Sequence, residues 1–156
     1  MTRSEVREHI FRLVFRVEFN DVDQMPEQLK RYFEDTYKED LSSDTPEDND
    51  KLCLFSEEDE EYIKTKYDRI VSMLPELDKI INDNSKGWDT ARMGKVDIAI
   101  LRLAVYEVMF DDNIPVGVAI DEAVELAKKY GQDESASFIN GILAGVAKSS
   151  AAADRD

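Results

Sequence analysis

The chain is poor in the residues that usually build reactive sites. It has one cysteine, Cys53, and one histidine, His9, among 156 residues. A lone cysteine excludes an internal disulfide, and no Cys/His cluster has zinc spacing. No glycine-rich loop runs into a lysine and a hydroxyl residue, so a phosphate-cradling loop is absent. His9 and Cys53 could meet as base and nucleophile only through folding, and a solvent-facing histidine is the simpler expectation. Carboxylates are so numerous that no pair stands out as acid and base. The expectation is a protein without catalysis, metal or cofactor. Six glycines and four prolines are few for a turn-rich sheet and favour long elements. No apolar run approaches the ~20 residues of a membrane span. Residues 1–8 are too polar for a signal peptide, and a reducing cytoplasm fits the single thiol.

Positive charge is also in short supply. Twenty basic residues face thirty-five acidic ones, a formal net charge of −15. Such a body repels phosphate as a whole, so any nucleic-acid site must be a local basic patch. The plainer role of the charge is solubility.

What the chain does have is helical periodicity. Over 4–18, Val6, Ile10, Leu13, Val14 and Val17 share one face. A second helix is expected over 25–38, with Pro26 in its first turn. From 39 to 55 the pattern dissolves into an acidic stretch read as an exposed loop. Its oxygen ligands invite a calcium reading, but the EF-hand glycine and terminal glutamate spacing are missing. A long helix is expected over 56–82, capped by Ser56 with Asp59 and kinked or broken at Pro75. The most apolar segment, 96–110, reads as a central helix covered on most sides. Pro115 opens a further helix over 116–130, with Glu125 and Lys129 as an i,i+4 pair. Gly131 stands where a left-handed cap is expected. The last helix is expected over 134–148, where Gly141 and Gly145 share a face suited to close approach, and 149–156 is expected to fray. The fold class is all-α: two packed helical bundles, about 1–83 and 84–150, around a central apolar helix.

The first helix concentrates arginine. Arg3, Arg7, Phe11 and Phe15 follow one i,i+4 ridge, while Arg12 lies on another flank within reach of Glu8. Guanidinium groups bind phosphate bidentately and aromatic rings stack on unpaired bases. The competing reading is that Phe11 and Phe15 pack inside and the arginines are simply solvated.

The last third of the chain carries more specific patterns. IAILRLAVYE over 98–107, IPVGVAIDEAVELAKKYG over 114–131 and FINGIL over 138–143 follow one another at short spacings. In order and spacing these blocks resemble the NusB family of transcription antitermination factors. The start, with Arg3, Glu5, Arg7, Glu8, Leu13 and Phe15, resembles the family's opening helix less tightly.

The resemblance implies a NusB-like helical fold and a bacterial cytoplasmic protein. It implies binding to boxA RNA of ribosomal RNA leader transcripts together with NusE, a ribosomal protein that also joins the transcription elongation complex. It permits a monomer or a homodimer. Carried over by position, it assigns RNA contact to Arg3, Arg7 and Phe15, and to Glu134, Ser137 and Phe138. Asp97 matches an acidic position that faces NusE, whereas Ile100, Leu103, Ala104 and Leu143 match core. Ser137 stands where a basic residue commonly precedes the phenylalanine, so weak RNA binding by the isolated chain is expected. The alternative is a protein-interaction adaptor that keeps the fold and NusE binding but has lost RNA. The domain also resembles the N-terminal region of some RNA cytosine methyltransferases, whose catalytic domain the sequence does not contain.

Overall fold

The computed structural model describes residues 1–41, 55–87 and 90–154. Among these there are seven α-helices and no strand: α1 (Arg3–Arg16), α2 (Met25–Leu41), α3 (Glu57–Ser72), α4 (Leu74–Asp83), α5 (Lys95–Phe110), α6 (Val116–Tyr130) and α7 (Ser135–Asp154). The all-α expectation holds. The helices gather into two compact units, Met1–Val71 and Ser72–Asp156. The division falls one helix earlier than residue 83, because the chain breaks at Met73 and α4 packs on α5. Pro75 sits in the first turn of α4, where its missing N–H costs nothing.

In the first unit, α1 begins with a capping box. Thr2 Oγ1 accepts from the Glu5 N–H at 3.1 Å, and Glu5 Oε2 accepts from the Thr2 N–H at 3.3 Å. Two amides that the helix cannot satisfy are thereby paired. The face that α1 buries carries Val6, Ile10, Phe11, Leu13 and Val14, with Met25, Leu29, Tyr32 and Phe33 buried on α2 and Ile63, Tyr67 and Ile70 on α3. The Tyr67 hydroxyl reaches Met25 Sδ at 3.1 Å and ties α3 to α2. Burial pushes its pKa up to about 12, so the phenol stays neutral. Ser56 caps α3 as expected, its Oγ accepting from the Asp59 N–H at 3.0 Å.

Most of the acidic stretch lies outside the described residues, and with it the calcium reading and Cys53. Its two ends differ from a plain loop. α2 continues to Leu41, past the point where its apolar spacing ends. Phe55 is buried, its ring 4.8 Å from His9 and 4.9 Å from Phe33, both edge-on.

His9 therefore does not face solvent freely. It is half-buried, meets Phe55 and Tyr32 edge-on, and its Nδ1 pairs with the Tyr32 hydroxyl. Burial lowers its pKa from the ordinary 6.5, and the Arg12 cation adds to this against the opposing Glu8 and Glu5. Folding thus withholds a proton that the unfolded chain takes up. The stability involved is complete above pH 6.5 and is lost as pH falls through the lower folded-state value. Melting temperature should consequently decline more steeply below neutrality in the wild type than in His9→Gln. Parallel curves for the two proteins would remove His9 from the acid response.

The second unit is built on α5. Every residue from Ile98 to Val108 is buried, and α4, α6 and α7 all pack against it. Ile100, Leu103, Ala104 and Leu143 are core, as expected. Two charged residues are buried with them, Glu107 and Arg102. Arg102 Nε and Nη2 donate to Asp78 Oδ1 and Oδ2 of α4 at 2.8 and 2.9 Å, a bidentate pair.

Three expectations at the C-terminal end need correction. Gly131 has φ −88° and ψ −171°, extended rather than left-handed; glycine is needed there for space, because a Cβ would lie 2.7 Å from the Ala127 carbonyl oxygen. Close approach holds at Gly145, whose Cβ would stand 3.0 Å from Asn84 Oδ1, but not at Gly141, which has open space around it. The tail does not fray at 149: α7 runs on to Asp154 and Ser150 is buried. Ala151, Ala152 and Ala153 are strong helix formers that let it continue.

Candidate nucleic-acid interface

The candidate residues fall in both units. In the first, the ridge inferred from spacing does not stay on the surface. Arg3 is exposed in the opening turn of α1, but Arg7 is only 6% exposed and Phe11 only 3%. Both lie beside the buried Val6, Ile10 and Val14 face, so a four-residue step along the helix leads inward. Arg7 is engaged within the fold. Arg12 is exposed, and Glu8 Oε1 meets its Nη2 at 3.1 Å. The Arg16 guanidinium lies 5.1 Å from the Tyr32 ring centroid, and its Nη1 is 3.5 Å from Gln28 Oε1. Much of the cationic charge on α1 is thus engaged locally, while Arg3 is exposed in its first turn.

Phe15 is half-buried, and its ring touches two others. Phe11 lies 6.3 Å away and Phe19 packs edge-on at 5.1 Å. Phe19 sits in the short 3-10 turn Val17–Phe19 and is 56% exposed. It lies outside the apolar face expected over 4–18, although Phe11, Phe15 and Phe19 share an unbroken i,i+4 spacing that signals it. An open aromatic face of this kind can stack on a base.

In the second unit, Glu134 and Ser137 are exposed and Phe138 is half-buried around the start of α7. The Phe138 N–H donates to the Glu134 carbonyl at 3.1 Å, which starts the helix. Three of the residues drawn from the C-terminal pattern are therefore neighbours on one helical turn. Asp97 lies in the first turn of α5, partly exposed. Its carboxylate complements the positive end of the helix dipole and still reaches solvent. Among the described residues no His, Cys, Asp or Glu group is arranged to hold a metal ion, and no helix is long and apolar enough to cross a membrane.

Residues 4–148 match the NusB family profile. The chain belongs to the NusB family. A relative from Agathobacter rectalis, a transcription antitermination protein NusB, is 47% identical over 144 residues, spanning 92% of this chain and 98% of that protein. Among solved structures, T. maritima NusB superposes with a TM-score of 0.77 at 30% identity, covering 95% of this chain and 92% of that one. A chain from a crystal structure of antitermination factors NusB and NusE in complex with dsRNA gives a TM-score of 0.74 at 24% identity, covering 96% and 99% of the two chains. At that identity the likeness is one of fold.

Proposed function

We propose that this chain is a transcription antitermination factor that holds boxA RNA of ribosomal RNA leader transcripts jointly with NusE. In this reading it works by assembly inside the transcription elongation complex, in the bacterial cytoplasm, and catalyses nothing. The observation that carries it is the family match over residues 4–148, reinforced by a 47% identical antitermination relative. A solved NusB–NusE–dsRNA complex shares the fold, which makes the same two partners the first to try. Arg3 supplies an open guanidinium for phosphate, and Phe15 with Phe19 an aromatic edge for bases. Glu134, Ser137 and Phe138 contribute a second RNA-facing turn, and Asp97 an acidic contact for NusE. Arg7, being buried, supports the first turn of α1 from beneath.

Arg3→Ala tests the phosphate contact. Titration of labelled boxA RNA in the presence of NusE should show a loss of roughly threefold to tenfold, and the slope of log affinity against log salt should fall by roughly 0.7, one single-strand phosphate contact. Unchanged affinity and slope would take Arg3 out of the interface.

The burial of Arg7 and the Glu8–Arg12 pair favour one second reading, an adaptor that keeps NusE and has lost RNA. Normal NusE affinity with no RNA bound by the pair beyond that of NusE alone would select it.

A further inference from the structure

The turn joining α6 to α7 is clasped from both sides. The Gly131 N–H donates to the Ala127 carbonyl at 2.8 Å. The Gln132 N–H donates to Ser135 Oγ at 3.0 Å, and the Ser135 N–H donates back to the Gln132 carbonyl at 3.0 Å. Ser135 is itself only 5% exposed. It lies so near Gly131 that a Cβ there would stand 2.6 Å from Ser135 Cβ and 2.7 Å from its hydroxyl oxygen. A buried hydroxyl needs a partner, and this one finds it in the backbone of the turn it closes.

The neighbours of Ser135 are the residues at issue. Glu134 is exposed immediately before it, and Ser137 and Phe138 follow on the same turn. Further along α7, Ile139, Ile142, Leu143 and Val146 are buried and hold the helix in place without help from the turn. The Ser135 hydroxyl, for its part, fixes the backbone that carries the exposed side chains. Ordering such a turn only on binding would cost affinity, and a turn ordered beforehand avoids that loss.

We propose that Ser135 is a positioning residue for RNA, its hydroxyl locking the α6–α7 turn against Gly131 so that Glu134, Ser137 and Phe138 are presented in one arrangement. The inference rests on the RNA-binding reading above.

The test uses the full chain with NusE and labelled boxA RNA. Ser135→Ala should weaken RNA binding about fivefold, the weight of one hydrogen bond. NusE affinity measured without RNA should not change. Ser135→Thr keeps the hydroxyl and should stay close to wild type. In a Phe138→Ala background, Ser135→Ala should have little further effect, which a merely structural role would not produce. Gly131→Ala strains the same clasp from the other side and should lose RNA affinity as well. Wild-type RNA affinity in both Ser135→Ala and Gly131→Ala overturns the proposal, as does an undiminished Ser135→Ala effect in the Phe138→Ala background. If the wild type binds no RNA even with NusE, the RNA-binding reading falls and this proposal falls with it. Wild-type binding with indifferent variants removes the positioning role alone.

Discussion

Asp78→Ala is expected to destabilise the second unit by roughly 3 kcal/mol, the loss typical of breaking a buried ion pair from one side. The side chain of Arg102 is 10% exposed and that of Asp78 24%. Two parallel hydrogen bonds hold them together between α5 and α4. Deleting the carboxylate leaves a guanidinium beneath the surface of the most apolar helix, where water cannot fully replace the lost acceptors. The complementary substitution Arg102→Met should cost much less, about 1 kcal/mol or under, because an apolar side chain of similar reach fills the same space and removes the buried charge. Denaturant unfolding of both variants checks the contrast. Equal losses would mean that packing rather than charge holds α4 on α5. A loss under about 0.5 kcal/mol for Asp78→Ala would place the pair among screened surface bridges.

NusE should tighten boxA binding by roughly a hundredfold near physiological salt, with the isolated chain binding weakly. The chain carries −15 overall, so an approaching phosphate backbone meets net repulsion and needs a local excess of cations. Of those on α1, Arg7 is buried and Arg12 faces Glu8. Few counterions can be released by the chain alone. In the proposed assembly, a basic ribosomal protein docked on an acidic surface would reverse the local field and supply the missing phosphate contacts. Titrations of RNA over a salt series, with and without NusE, measure both effects. Tight binding by the isolated chain that ignores salt would overturn this division of labour.

Helix positions were largely legible, and for local reasons. Ser56 with Asp59 and Pro115 before Val116 are punctuation that acts within a few residues, and each marks an observed helix start. The apolar run of α5 is nearly continuous, and only a helix covered on most sides can bury it. The candidate site was legible in part. Spacing places Arg3, Arg7, Phe11 and Phe15 along a ridge, but i,i+4 steps drift around a helix of 3.6 residues per turn. A small drift toward the packed face turns an apparent phosphate ligand into a buried side chain at Arg7. Phe19 lies beyond α1, in the Val17–Phe19 turn, so a helical face over 4–18 does not include it.

Local chemistry, then, suffices for the helical class, the caps, the break at Pro75 and the central place of α5, since each depends on neighbours along the chain. Long-range packing alone decides which arginines stay open, that His9 is wedged between Tyr32 and Phe55, that Gly131 serves space rather than a left-handed turn, and that α4 joins α5. Burial and charge pairing depend on side chains brought together from distant positions, and no periodicity encodes which partners those will be.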